Sequence, residues 1–266
     1  MNIIELRQST VLGSLVLGWM LASSPVLAED ADGSQPVPGS GWQVDVVSYL
    51  WAAGASGTVR TLPPLPPATI DLDFGDTVKS LKDLDAGLIA TVFGRKDRLL
   101  FMVDVNWMKL SPTQTLDLSG QPVELRTKSE TLSLLPAIGY RVLDEGGQKV
   151  DVYGGFKFWR MTNSAEVQPA VVTPNRVSVD ETWTDLTVGA RVRTDLSARS
   201  YLDAIAFVGT GGSDYFIDAY LGLGYTISER MNAFVGYRIM NVDRENGDFL
   251  YDVKQKGPMF GIALRF

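Results

Sequence analysis

Apolar and polar residues alternate with a period of two along most of the chain after Trp42. This period is typical of β-strands whose two faces lie in different environments. Ten such stretches can be counted, at 42–53, 85–95, 98–110, 125–142, 148–161, 178–194, 199–209, 213–226, 230–243 and 249–266. The pattern therefore predicts an all-β protein of about ten strands.

The connections between these stretches differ in length. Four are tight turns, at 94–98, 143–148, 195–200 and 228–230. Three are long loops, at 54–84, 111–124 and 162–177. The connection at 209–214 and the Asn246-Gly247 pair are short where the alternation would place a long loop. Short periplasmic turns and longer extracellular loops are typical of outer-membrane barrels. We therefore predict a single antiparallel transmembrane β-barrel of about ten strands, with eight or twelve as alternatives.

One long loop contains a segment with a different period. Val78, Leu81 and Leu84 are spaced by three residues, which predicts a short helix at the mouth of the barrel. Asp76 or Thr77 is the expected residue at its N-terminal cap.

The apolar face of each strand must contact lipid if the barrel spans a membrane, because a charge on that face costs about 2–4 kcal/mol at the midplane. The last stretch, for example, alternates small or charged residues with an apolar set, Phe260, Ile262, Leu264 and Phe266. The same alternation places eleven charged residues in the lumen: Asp104, Arg141, Asp151, Lys157, Asp185, Arg191, Arg193, Asp203, Asp218, Arg238 and Arg265.

These five acidic and six basic residues are close to electrical balance. Small barrels are filled by their own side chains, so we interpret the set as a network of ion pairs. We expect the pairs to join two groups of three residues, Asp104, Asp185 and Asp218 with Arg141, Arg191 and Arg238. A thin water path through the lumen is the alternative.

The beginning of the chain lacks the strand pattern. A basic start is followed by an apolar run and by small residues that end at Ala28, which is typical of a secretory signal peptide. The apolar run is shorter than the roughly 20 residues that a membrane-spanning helix needs. We therefore predict a signal peptide at 1–28, cleaved near Ala28, a flexible periplasmic lead-in at 29–41 and the barrel at 42–266.

Composition excludes several classes of function. The formal net charge is −7, which disfavours nucleic acid as a partner because phosphate contacts need clustered Lys and Arg. The chain has no cysteine and no histidine, so only oxygen atoms could bind a metal, and no acidic calcium-binding loop is present. We expect no metal site and no cofactor.

Catalysis is not expected either. The known outer-membrane enzymes resemble this chain in architecture, and the omptin proteases also have ten strands. Omptins, the barrel phospholipase, the lipid A palmitoyltransferase and the lipid A deacylase all use a histidine as a base or to activate a nucleophile. This chain has none, so those mechanisms cannot be assembled.

Four segments carry a resemblance to a known family: "SYLWAAGASGTV" at 48–59, "DFGDTVKSLKDLD" at 73–85, "GYR" at 236–238 and the closing "GPMFGIALRF". With these the chain resembles a family of small Gram-negative outer-membrane barrel proteins of unassigned activity. The closing segment, with Phe266, is similar to the β-signal that the barrel assembly machinery recognises. We expect a monomer in the bacterial outer membrane, in contact with its lipids and lipopolysaccharide.

Two functions remain after these exclusions. The first is a structural or interaction role for a barrel whose lumen is filled by side chains. The second is a narrow channel for small solutes or ions. General porins use 16 to 18 strands to enclose an aqueous channel, so about ten strands favour the first function.

Overall fold

The computed structural model describes residues 41–62, 66–73, 75–76, 83–118, 121–168 and 176–266. The predicted signal peptide and nearly all of the predicted lead-in lie outside these residues. The described residues form thirteen strands: β1 (Gln43–Trp51), β2 (Gly54–Arg60), β3 (Ala68–Leu72), β4 (Leu84–Lys96), β5 (Leu99–Leu110), β6 (Thr113–Leu118), β7 (Gln121–Glu145), β8 (Gln148–Gln168), β9 (Arg176–Asp195), β10 (Ser200–Gly211), β11 (Tyr215–Ser228), β12 (Met231–Asn246) and β13 (Phe249–Arg265).

Ten of these strands close into one antiparallel barrel. Their order is β1-β4-β5-β7-β8-β9-β10-β11-β12-β13, and β13 pairs again with β1. At the closure Asp45 lies opposite Arg265 and Trp51 lies opposite Met259. A closed ring leaves no open sheet edge, which is the requirement for strands that cross a lipid bilayer. The predicted ten-stranded barrel is confirmed.

The other three strands extend the wall at one end of the barrel. β2 pairs with β13 and with β3, and β6 pairs with the first residues of β7. The prediction of long loops at 54–84 and 111–124 was therefore wrong in part, and so was that at 162–177, because β8 continues to Gln168 and β9 begins at Arg176. One face of β2 and β3 is apolar and buried, as at Val59 and Ile70, but each of the three strands has only five to seven residues. So short a stretch does not show a clear period of two inside a longer segment.

The opposite end of the barrel carries the tight turns. Gly146 and Gly147 have positive φ angles of 60° and 78° in the turn between β7 and β8. At the end that carries β2, β3 and β6, the Asn246-Gly247 pair forms the predicted tight hairpin, with a φ of 56° at Gly247. We call the two ends of the barrel the turn side and the loop side.

The predicted loop helix is described only at residues 75–76. There the carboxylate of Asp73 accepts a hydrogen bond of 2.9 Å from the backbone N–H of Asp76, so Asp73 occupies the capping position that was predicted for Asp76 or Thr77. Leu84 begins β4 and is not helical. Val78 and Leu81 lie outside the described residues, and no described helix has the length and hydrophobicity needed to cross a membrane.

A band of exposed apolar side chains surrounds the outside of the barrel. Ile138 on β7, Leu186 on β9 and Leu221 on β11 expose 73%, 63% and 54% of their surface. The predicted outward face of β13 is also exposed, with Phe260, Ile262, Leu264 and Phe266. An apolar exterior around a charged interior is the arrangement of a barrel whose outer wall contacts lipid.

Candidate functional site in the barrel lumen

Arg238 on β12 lies at the centre of the lumen. Its Nε and Nη2 atoms donate hydrogen bonds to the two carboxylate oxygens of Asp218 on β11, at 2.8 and 2.6 Å. Its Nη1 atom donates to the hydroxyl of Tyr49 on β1 at 2.6 Å, and Nη2 lies 3.7 Å from Asp104 on β5. All four residues are buried. One guanidinium group thus connects three parts of the barrel wall.

Lys157 on β8 reaches the same centre from the other side. It is fully buried, and its Nζ atom lies 3.3 Å from Asp218. The ammonium group also lies 4.7 Å from the centre of the Trp159 ring, within the range of a cation–π interaction. Asp218 therefore contacts two cations, which offsets the cost of burying its charge.

Asp104 is satisfied mainly by neutral groups. Its carboxylate accepts hydrogen bonds from Thr91 Oγ1 at 2.7 Å, from Asn106 Nδ2 at 2.7 Å and from the Tyr49 hydroxyl at 3.1 Å. We use the name central layer for five residues, Tyr49, Asp104, Lys157, Asp218 and Arg238. The layer holds two acids and two bases, so its net charge is zero.

The central layer separates two cavities. The turn-side cavity has a volume of about 110 Å³ and includes Val47, Phe93 and Ala263 in its lining. The loop-side cavity has a volume of about 70 Å³ and includes Trp51 and Gln255. Arg238 lines both cavities, so one side chain lies between them.

The other predicted lumenal bases form pairs close to the turn side. Arg141 binds Asp151 through two hydrogen bonds of 2.7 and 3.1 Å. Arg191 contacts Asp203 at 2.9 and 2.5 Å, also through two nitrogen atoms. The expected pairing of these two arginines with Asp104, Asp185 or Asp218 is wrong, because an acid on a neighbouring strand lies within reach of each.

The two remaining predicted bases contact residues that were not among the eleven predicted lumenal charges. Arg265 pairs with Asp45 at 2.8 Å across the closing strands. Arg193 packs over the ring of Tyr201 at 3.4 Å and lies 3.7 Å from Asp195.

Asp185 has a different role from the predicted one. It is fully buried, yet no ion pair of Asp185 occurs among the described residues. Its carboxylate accepts hydrogen bonds from Trp159 Nε1 at 3.0 Å, from the backbone N–H of Ser213 at 2.6 Å and from the Ser213 hydroxyl at 2.9 Å. The expected pairing with an arginine is wrong, because donors from Trp159 and Ser213 already engage the carboxylate, although Asp185 lies directly opposite Lys157 in the strand register.

Sequence reasoning missed an ion pair on the loop side. Arg244 on β12 contacts Glu181 on β9 at 3.3 Å and packs over the ring of Trp183 at 4.8 Å. It joins two strands that are not neighbours in the sheet. The period of two places Arg244 on the inward face with Arg238, but the predicted strand ended at residue 243.

The loop-side rim outside the apolar band is acidic near the end of β12. Burial raises the pKa of Asp243, and the nearby carboxylates of Asp252, Asp214 and Glu245 raise it further. Within the described parts of the chain, no group of His, Cys, Asp or Glu side chains is arranged to hold a metal ion.

Comparison with known proteins identifies the fold. No family model and no curated protein matches the sequence. The outer membrane protease OmpT from Escherichia coli has a similar structure, with a TM-score of 0.56 and 9% identity over 85% of this chain and 96% of that one. The translocator domain of the autotransporter NalP from Neisseria meningitidis gives a TM-score of 0.46 at 13% identity, over 86% and 89% of the two chains. The similarity to OmpT shows that the chain has the fold of an outer-membrane β-barrel protein.

Proposed function

We propose that the protein is an integral barrel of the bacterial outer membrane whose lumen is closed by the central layer, with a structural or interaction role. The contact of Arg238 with Asp218, Tyr49 and Asp104 carries this proposal, since it joins three parts of the wall across the lumen. The exposed apolar band supports the location in a membrane.

A non-catalytic role is part of this proposal. OmpT is a protease, but at 9% identity only its fold can be compared with this chain. The buried carboxylates of Asp104, Asp185 and Asp218 are each engaged by two or more donors. A carboxylate held in this way is a poor general base, because its charge is already stabilised by its neighbours.

A narrow channel is the second candidate, and one observation favours it. The two cavities share Arg238 in their linings, so displacement of that side chain would remove part of the barrier between them. In this case the central layer would act as a gate and the protein would conduct intermittently.

Planar bilayer recordings distinguish the two candidates. For a closed lumen we expect no steady current from the native protein and a new current from Arg238→Ala. Arg265→Ala is the matched control, because Arg265 pairs with Asp45 at the turn side and lies outside the central layer. A native current that Arg238→Ala leaves unchanged would rule out closure by Arg238. A native current that opens and closes, and becomes steady in Arg238→Ala, would favour the channel.

We also propose that β13 directs assembly and that the wall contacts lipid and lipopolysaccharide as a monomer. The support is the regular outward set Phe260, Ile262 and Leu264 on β13, which Phe266 continues directly after the strand. Phe266 is 75% exposed, so its replacement leaves the lumen intact. Phe266→Ala should lower the yield in the outer membrane without changing the unfolding midpoint of the protein that does assemble. An unchanged yield would contradict this role.

A further inference from the structure

The turn-side cavity has apolar walls and a defined size. Its volume is about 110 Å³, somewhat smaller than the roughly 150 Å³ of an apolar cavity that binds benzene. Most of the wall is formed by aliphatic, aromatic and methionine side chains, including Val47, Phe93, Met102, Leu135, Phe207 and Met259. A compact ligand with an apolar body of about six heavy atoms would fit this space.

The charges that line this cavity are already paired. Arg238 contacts Asp218 and Asp104, and Arg191 contacts Asp203. Lys157 lies behind the lining and supplies the third positive charge, so the acids and bases of this region balance. A charged ligand would find no free counter-ion and would have to leave its hydration shell, which is costly. The lining therefore favours a neutral ligand.

Two tyrosines supply polar groups that the protein itself leaves available. Tyr201 and Tyr220 both line the cavity, and no hydrogen bond to either hydroxyl occurs among the described residues. The Tyr220 side chain packs closely over Gly222, with its hydroxyl end nearest, and its ring packs over Gly236, so a side chain at either glycine would collide with it. The glycines thus let this ring lie along the wall. A phenolic hydroxyl can both donate and accept, which suits a single hydroxyl on a ligand.

We propose that the turn-side cavity binds a small neutral molecule with a compact apolar body and one hydroxyl group, and that Tyr220 forms the hydrogen bond to that group. Phenol is the simplest probe of this class. The proposal concerns the cavity in the closed state of the lumen, in which Tyr49, Asp104, Asp218 and Arg238 of the central layer form part of its lining.

Equilibrium dialysis of labelled phenol against the full-length barrel in nanodiscs tests the site, with empty nanodiscs as the reference for partition into lipid. We expect saturable binding above that reference. Benzoate, which is charged, and glycerol, which lacks an apolar body, should fail to compete. Absence of saturable binding, or equal competition by benzoate, would overturn the proposal.

Paired variants locate the site. Ala263 lines the cavity and Ala219 lies on the outward face of β11, so Ala263→Leu should weaken binding at least tenfold while Ala219→Leu should not. Met102→Phe provides a second way to fill the cavity if Ala263→Leu fails to fold. Equal phenol affinity in the filled variants and the native protein would show that phenol binds elsewhere.

A second pair tests the hydrogen bond. Tyr220→Phe should weaken phenol binding about three- to tenfold, as expected for one lost hydrogen bond, and should leave benzene binding unchanged. Tyr225→Phe is the control, because Tyr225 is half exposed on the outer wall. An unchanged phenol affinity in Tyr220→Phe, or an equal loss for benzene, would contradict the role of the Tyr220 hydroxyl.

Discussion

Arg238 and Asp218 form a two-point ion pair between adjacent strands, with both bonds shorter than 3 Å. The two residues are not directly opposite each other, since Arg238 faces Tyr220 in the register and Asp218 faces Met240. The contact is therefore diagonal, and the long arginine side chain spans the offset. A bidentate contact of this kind fixes the orientation of the guanidinium group, which can then bind Tyr49 as well.

Asp218→Asn should lower the stability of the barrel strongly. The change leaves Lys157 and Arg238 buried with Asp104 as the only acid of the central layer, and loss of one partner from a fully buried pair costs about 3–5 kcal/mol. The urea midpoint of unfolding in detergent measures the effect. Asp248→Asn is the matched control, because Asp248 is 85% exposed and should contribute little. Equal midpoints for the two variants would contradict the burial of this pair.

Asp185→Asn should be destabilising without opening the lumen. An amide offers one oxygen where the carboxylate accepts three hydrogen bonds, and hydrogen bonds to a charged group contribute about 1.5–3 kcal/mol. Tryptophan emission should also change, because Trp159 donates to Asp185. Planar bilayers should show no current. A current as large as that of Arg238→Ala would instead show that Asp185 helps to close the lumen.

Asp243→Asn should increase stability at neutral pH and have less effect in acid. The pKa of Asp243 is raised from its ordinary 3.8 by burial and by neighbouring acids, so the folded state binds this proton more tightly than the unfolded state. Stability is then lost as the pH rises from the unfolded pKa through the raised folded pKa. Urea midpoints of both proteins at pH 4 and pH 7 test this. A larger increase in the urea midpoint at pH 4 than at pH 7 would contradict a raised pKa of Asp243 in the folded state.

The native protein should fractionate with the outer membrane and migrate differently on gels before and after boiling. The ring of ten strands is closed, so its backbone pairs resist detergent until it is heated. Recovery in the soluble periplasmic fraction, with equal migration of boiled and unboiled samples, would be incompatible with a membrane barrel.

The sequence determined the strand period, the approximate strand number and the outward faces of β7, β11 and β13. Each outward residue must tolerate lipid by itself, so this requirement appears directly in the residue types, as at Ile138 and Leu221. The strands β2, β3 and β6 were not predicted, because they are only five to seven residues long and their outward faces do not have to be apolar outside the lipid band.

Only the tertiary structure decided which lumenal groups contact each other. The sequence pattern places both Asp185 and Asp218 on the inward face of their strands. In the structure Asp185 binds Trp159 and Ser213, whereas Asp218 binds Arg238 and Lys157. Their partners come from strands far apart in the chain, and the closure of β13 onto β1 brings Tyr49 to Arg238. A period of two assigns a side chain to a face, but its partner depends on strand register and on the distance across the closed barrel.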